Sequence, residues 1–518
     1  MGNKWDTIII GAGLGGLTAA AKLVRAGRRV LVLERNPHPG GTAYVYNRKG
    51  FSFPMGPLGF SHPDLVRSII KDLDGRDDLP LRRVHYRIRA FDCDLPLSLP
   101  PAEMVKKLAE RFPSDALAVE RFFQDMKAIS FASNHRDSDT DVSELSDLYR
   151  SSASEYLMPR IRDKRLRRIL GSIGTREPYS SLPLLVAMWN LMTQEGIWYP
   201  ASGIKALSES LVRVLGLQSN MEKGPEDSEK IRLGTEVTNI RLKNGKVIGV
   251  TLRDGSKIDS PSVISNADYK TTFLKLLDRR KLPPLWYRAV SRARQTGSVL
   301  QICLGVDKKK ADLSSFHEAT RLIYRSRETH QPKGGVDWNA VEIDPGLLAN
   351  EELEASLWSE EDATLAPEGK AVVVIRTEAP YSHFARYRLG WRKRVPGYEA
   401  YKIRLGRGLV KEVENLIPRL EDSIQVMDVA TPLTFEDQGG RSEGAVAGWS
   451  WNNEDFQDDK PKELIRTPIK GLYMAGYQAF SALFMGGIPT AMESGIRAAQ
   501  AVLDGVDSIE EVLIPGMK

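Results

Sequence analysis

The residues of this chain best suited to chemistry are glycines and one acid, divided between its two ends. Near the start, Ile8-Ile9-Ile10 feeds Gly11-Ala12-Gly13-Leu14-Gly15-Gly16, and Glu34 closes the next apolar run, Val30-Leu31-Val32-Leu33. That frame reads as strand, tight turn, helix, strand. Gly11 permits the turn, Gly13 lets backbone approach a pyrophosphate, and Gly16 lets helix and strand pack closely. The helix N-terminus offers free N–H groups and partial positive charge to phosphates. Glu34 stands where it can accept hydrogen bonds from adenosine ribose hydroxyls. Near the far end, Gly471-Leu472-Tyr473-Met474-Ala475-Gly476 leads toward Gly486-Gly487-Ile488-Pro489. One glycine-rich turn says only "dinucleotide". After Glu34 come Arg35, the pair Gly40-Gly41 and then Gly50 to Pro57, which is not the continuation of a nicotinamide dehydrogenase. Both ends together point to FAD.

The elements that must position these residues can be read from patterning. The first helix carries Ala19, Ala20, Leu23 and Val24 on one face, and Gly27 fits its C-terminal end. From about Asp77 to Leu191 the chain reads mostly as amphipathic helix, with Pro101–Arg111, Ala116–Ser130 and Val142–Tyr149 linked by polar stretches such as His135–Asp141. Thr235–Leu242 alternates as a strand, Asn244-Gly245 is a hairpin turn, and Val247–Leu252 is the return strand. Strands at Val299–Val306 and Ala371–Arg376 mix with a helix at Tyr398–Leu416. Residues 218–230 form the best candidate linker. The fold class expected is α/β: a discontinuous Rossmann-like FAD-binding domain with an inserted α+β substrate domain rich in helices. The FAD domain is drawn from 1–75, 195–275 and 441–518, and the substrate domain from 76–194 and 276–440.

Composition narrows the class. The chain has 518 residues, 42% apolar and 27% charged, with a net charge of +6. That is an ordinary globular balance. No basic motif is interleaved with stacking aromatics, so nucleic acid is not an expected partner. The basic run from Arg160 to Arg168 suits either an anionic membrane surface or a solvated helix face. Two cysteines, Cys93 and Cys303, exclude a disulfide framework and fit a reducing compartment. Cys303 lies in an apolar run and should be a buried strand residue. The seven histidines show no metal spacing. The longest apolar stretch, Leu182 to Met192, is too short to span a bilayer, and the chain enters a strand too early for a signal peptide. The expected location is cytoplasmic, with peripheral contact at the cytoplasmic membrane face.

Gly40-Gly41-Thr42-Ala43-Tyr44-Val45-Tyr46 and Gly50-Phe51-Ser52-Phe53-Pro54-Met55-Gly56-Pro57 resemble bacterial phytoene desaturases. So do Asn244–Val250, Ser265-Asn266-Ala267-Asp268 and the C-terminal glycine-rich segment. The wider family includes carotenoid cis–trans isomerases and retinol saturase. The resemblance implies an FAD site formed by Gly11, Gly13, Leu14, Gly15, Gly16, Glu34, Arg35, Gly40, Gly41, Thr42, Pro57, Val237, Asn266, Ala267, Gly476, Gly487, Ile488 and Pro489. It places Gly487-Ile488-Pro489 against the flavin ring, where backbone N–H groups favour negative charge on the reduced cofactor. Small residues Ala491, Ser494, Gly495 and Ala498 share one face of the following helix. The family often has Arg at the position of Thr42 and Asp at that of Pro54, so this chain is expected to lack both charges at the flavin edge.

The chemistry implied is hydride transfer to or from flavin N5 on a carbon–carbon bond of a lipophilic polyene or isoprenoid. The electron acceptor is left open. Leu182–Met192, Trp198-Tyr199 and Phe480–Phe484 are the candidate linings of an apolar tunnel, the first equally readable as a buried helix. Acid–base candidates are Glu493, Arg441 and His383, with Gln478 comparable. The alternatives are a cis–trans isomerase using reduced FAD without net redox change, a non-enzymatic isoprenoid-binding carrier, and an amine oxidase.

Overall fold

The computed structural model describes residues 5–56, 59–76, 79–134, 151–171, 181–216, 230–325, 336–450, 462–481 and 487–505. Pro57, Gly486, the helix expected at 142–149, the linker at 218–229 and the tunnel candidates at 482–484 lie outside the described residues.

A five-stranded, all-parallel sheet forms the first layer of the fold. Its order is Leu472–Met474, Val263–Ser265, Thr7–Ile10, Val30–Leu33 and Ile231–Arg232. Thr7–Ile10 and Val30–Leu33 are buried along their whole length, as parallel strands covered on both faces must be. The first helix, Leu14–Arg25, runs back over this sheet, and Gly27 (φ +78°) turns the chain out of it, as the sequence suggests. The helix Gly487–Leu503 packs on the first helix backbone to backbone. A Cβ at Gly495 would stand 2.3 Å from the Gly15 carbonyl oxygen, so a larger residue there would push the helices apart. Small residues on that face therefore serve helix packing.

Beside this lies a three-stranded antiparallel sheet, Val237–Lys243, Lys246–Leu252 and Lys257–Asp259. Asn244 and Gly245 both hold positive φ (51° and 71°) at its first turn, the geometry a two-residue hairpin requires.

The second half is built on a seven-stranded sheet. Its order is Ile424–Ala430, Ser298–Asp307, Lys370–Ala379, Leu353–Leu357, Arg321–Arg325, Tyr86–Ala90 and Cys93–Pro96. Side chains alternate across a strand, and here the alternation separates two cores. Leu300, Ile302 and Leu304 pack with the helix Tyr398–Val413, whereas Cys303, Val372 and Val374 join the larger core, which runs through the parallel sheet and on to Met104, Phe122 and Trp189. Phe51 caps that second face: its ring fills the space over Gly305, where a Cβ would come within 2.7 Å.

The helix Pro101–Arg111 has the expected bounds, and the next runs Ala116–Asn134, one turn beyond Ser130. Leu182–Asn190 is a helix whose Trp189 meets Phe122 and Phe123 edge-on and donates Nε1–H to the Leu170 carbonyl. Both cysteines are buried, and burial pushes the thiols up, to about 11 for Cys93 and about 12 for Cys303. Among the described residues, no helix is long and apolar enough to cross a membrane.

Candidate functional site

The turn after the first strand leaves no room for side chains. Gly11 holds φ +94°, and a Cβ at Gly16 would lie 2.2 Å from the Gly11 carbonyl oxygen. The Asn266 side chain reaches in from the end of the Val263–Ser265 strand. Added Cβ atoms at Gly13, Gly15 and Gly476 would meet its amide at 2.8, 2.6 and 2.9 Å. Gly13 bridges to Gly40, whose N–H donates to the Ala12 carbonyl at 2.8 Å. Gly40 and Gly41 both hold positive φ, so the second glycine pair lies directly against the first turn.

Two features make this cradle fit a dinucleotide diphosphate. The first helix begins at Gly13 with no capping side chain and no acid in its first turn, so its opening N–H groups await an anionic acceptor. The groove beside them is lined by backbone and one amide. Glu34 completes the nucleotide end. It is 5% exposed and accepts from the N–H groups of Ala12 (2.7 Å) and Asn36 (2.8 Å). Each carboxylate oxygen keeps a lone pair for a ribose hydroxyl. Burial holds the Glu34 carboxyl above its ordinary value, and the N–H donors of Asn36 and Ala12 offset only part of that rise. The Thr235 N–H donates to the Glu34 carbonyl at 2.7 Å, and Val237, two residues on, begins its strand.

At the C-terminal end, Ser494 locks Gly476 in place. Its hydroxyl accepts from the Gly476 N–H (2.7 Å) and donates to the Ala491 carbonyl (2.6 Å). Gly487 opens its helix on a side where an added Cβ would meet nothing within 4 Å, with Ile488 and Pro489 buried behind it. Ala267 is half-buried next to Asn266.

The other end of the cradle departs from expectation. By sequence, Thr42 marks a missing positive charge. Instead the Arg441 guanidinium comes in from the far end of the chain and donates to Thr42 Oγ1 at 3.2 Å. Its other contacts are the Val446 and Ala445 carbonyls, and among the described residues no carboxylate forms an ion pair with it. Burial lowers its affinity for the proton below the ordinary arginine range, while Tyr477 and Asp268 nearby favour the charged form. Arg35 points the same way, donating to the Asp437 carbonyl at 3.4 Å. At Pro54, the other position without the expected charge, the carbonyl accepts from Gln301 Nε2 at 3.4 Å.

Arg441 is held by a loop stitched to three elements. Asp268 caps the helix Tyr269–Leu274 and also accepts from Ser442 Oγ (2.6 Å) and Gln295 Nε2 (3.1 Å). Ser298 Oγ donates to the Gly444 carbonyl at 2.7 Å. Gln478 accepts from the Tyr269 N–H at 2.7 Å, and its carbonyl accepts from Trp449 Nε1 at 2.9 Å. Gln478 is therefore a structural joint. Tyr477 packs on Gly448, and burial pushes its hydroxyl up to about 12. It keeps its proton at neutral pH.

Two remaining acid–base candidates sit elsewhere. Glu493 Oε1 accepts from Arg497 Nε at 2.8 Å, one turn along the same helix. His383 is fully buried among Trp338, Phe384, Tyr387 and Tyr401, in the core on the other face of the large sheet. Its Nδ1 is 2.8 Å from the Trp338 carbonyl, which can only accept, so Nδ1 carries the proton. Nε2 then accepts from the Tyr401 hydroxyl at 2.7 Å, and that hydroxyl accepts from the Ile343 N–H. The cradle glycines, Glu34, Asn266 and Gly476 are brought together; Glu493 and His383 are not part of that gathering. Tyr477 escapes sequence reasoning, and Asp268 enters it only within the Ser265–Asp268 motif, with no sign of its partners Ser442 and Gln295.

Comparison with known proteins gives the family and the fold. Residues 14–367 match the family described as flavin containing amine oxidoreductase. The chain is 25% identical to the chloroplastic prolycopene isomerase of Daucus carota, over 96% of this chain and 80% of the relative. It is 26% identical to the neurosporene-forming phytoene desaturase of Rhodobacter capsulatus, over 96% and 94%. Its fold is similar to that of an oxidoreductase from Methanosarcina mazei, with a TM-score of 0.62, 18% identity and coverage of 95% and 99%. This chain belongs to the flavin containing amine oxidoreductases, as an FAD-dependent oxidoreductase like its carotenoid-desaturase relatives.

Proposed function

We propose that this flavoprotein adds or removes hydrogen across carbon–carbon bonds of a lipophilic polyene or isoprenoid, met at a membrane surface. The observation that carries this reading is the extent of the likeness. Similarity to the phytoene desaturase and the prolycopene isomerase runs over 96% of the chain, through the half that faces substrate as well as the nucleotide cradle. The FAD site is read as the set named from the sequence, and Arg441 and Tyr477 are added to it at the ring end.

FAD, when bound, supplies the hydride acceptor or donor. The chain's own residues do the rest. The N–H groups at the start of the first helix hold the diphosphate, and Glu34 holds the ribose. Arg441 keeps a positive charge beside Thr42, where it favours negative charge developing in the reaction. Tyr477 keeps a proton at the same end. The aromatic hairpin of Phe51 and Phe53, laid on the large sheet, helps to keep water out.

The test is anaerobic. Oxidised protein is mixed with liposomes carrying a series of isoprenoids and polyenes, and the visible flavin absorbance is followed. Bleaching by one compound supports dehydrogenation; reoxidation of reduced flavin by a polyene supports saturation. Silence in both directions counts against hydrogen transfer. A second reading, isomerisation without net redox change, draws on the prolycopene isomerase likeness. It expects a changed double-bond geometry only when reductant is present.

A further inference from the structure

Three of the most exposed large apolar side chains lie in one region: Val341 (76% exposed), Leu389 (67%) and Trp391 (56%). Leu389 and Trp391 are carried by a short hairpin, Arg388–Gly390 paired with Lys393–Arg394. Val341 adjoins its base. The Tyr387 hydroxyl donates to the Val341 carbonyl at 2.8 Å, and Arg386 donates to the Ala340 carbonyl at 2.7 Å.

The hairpin is held outward on a braced stalk. Arg388 bonds Glu436 (2.6 Å) and Asp437 (2.9 Å), and Arg394 also reaches Asp437. The Val395 N–H closes the base on the Tyr387 carbonyl. Arg392 makes the turn at φ +55° and donates to Gln438 Oε1 at 3.0 Å. Arg386, Arg392 and Lys393 are exposed, and none forms an ion pair with a described carboxylate.

We infer that this hairpin is a docking finger for an anionic lipid bilayer. An exposed Trp and Leu at a tip, ringed by cations, match a bilayer interface twice over. The rings and chains enter the acyl boundary, and the guanidinium and ammonium groups meet lipid phosphates. The place is also apt. Gln438, which holds the tip, is three residues before Arg441 at the ring end of the cradle, so docking brings the lipid phase beside the site. This deepens the reading of a membrane-delivered substrate and rests on it.

The test uses holoprotein and vesicles without substrate: phosphatidylcholine alone, and phosphatidylcholine with about 30% phosphatidylglycerol. Flotation should show binding to the anionic vesicles at least about tenfold stronger. L389S/W391S should lower it about tenfold or more, and R392Q/K393Q by about fivefold per charge, as a single basic residue near the surface contributes. Visible flavin absorbance, unchanged in every variant, certifies the fold. Equal binding to both vesicle types, or binding indifferent to both double variants, overturns the inference. So does a concentration-dependent dimer in sedimentation that L389S/W391S abolishes, which would make the tip a protein contact. Because no substrate is present, vesicle binding can succeed where flavin bleaching by polyenes fails, and the reverse.

Discussion

The two ends of the cradle are built from opposite materials. At the proposed nucleotide end, main chain predominates: Gly11, Gly13, Gly15, Gly16 and the pair Gly40-Gly41 bring backbone together, and only the Glu34 carboxylate and the Asn266 amide enter from side chains. At the ring end, side chains make them. Arg441 reaches Thr42, Asp268 ties Ser442 and Gln295, and beyond them Asp437 joins Arg388 and Arg394. A backbone site recognises a common ligand part and tolerates almost no substitution. A side-chain site can be re-specified residue by residue. The lesson is that the glycine end is held by the spacing of the main chain and the Arg441 end by the pairing of side chains.

The most severe test of that contrast is Gly16→Val. Its Cβ would stand 2.2 Å from the Gly11 carbonyl, so flavin content, read as the ratio of visible flavin to protein absorbance, should fall about tenfold or more. If the variant held flavin normally, the nucleotide end would not be a backbone site. Next in size, Asp437→Ala leaves the Arg394 guanidinium without its carboxylate and takes one of two from Arg388, which keeps Glu436; the acid is 3% exposed. Unfolding of the holoprotein in denaturant should show a loss of about 3 kcal/mol. Retained stability would mean the ion lattice is dispensable.

A finer discrimination comes from Arg441→Gln. Flavin content should stay close to wild type while single-turnover flavin reduction slows by about tenfold, the worth of one charged hydrogen bond, with Arg441→Lys recovering part of the rate. Loss of flavin instead would move Arg441 into the nucleotide end. The smallest effect belongs to His383, outside both ends. Burial lowers its pKa below the ordinary 6.5. The unfolded chain therefore binds a proton that the folded chain refuses, and stability declines as pH falls below about 6.5 and on down to the folded value. His383→Asn should flatten that slope in melting temperature against pH and leave the rate of flavin reduction untouched.

How much of this is legible in the sequence divides along the same line. The nucleotide end is readable, because a glycine is informative by what it lacks and its spacing is local: Gly11 to Glu34 spans one strand-turn-helix-strand unit. The strands at 237–252 and 298–307 are readable from alternation and from Asn244-Gly245. At the proposed ring end Thr42 and Arg441 can each be singled out from the sequence, but not their meeting. The charge missing at Thr42 itself is supplied by a residue 399 positions away, and no local pattern announces such a partner. His383 resembles a candidate base in sequence because its burial on the far face of the large sheet depends on tertiary packing. The Arg388–Asp437 lattice is hidden for the same reason: in sequence it is merely a polar stretch.

The order of strands in the parallel sheet also sets an order of events in the life of the chain. Val263–Ser265 has Thr7–Ile10 on one side and, on the other, Leu472–Met474 at the sheet's edge. During synthesis it waits with one flank unpaired until nearly the whole polypeptide has emerged. Such long-range closure is slow and leaves apolar edges open in the interval. Arg441 and Gly476 arrive equally late. With the site proposed above, cofactor capture is therefore expected to follow synthesis, and a chain stopped before Arg441 is expected to be aggregation-prone.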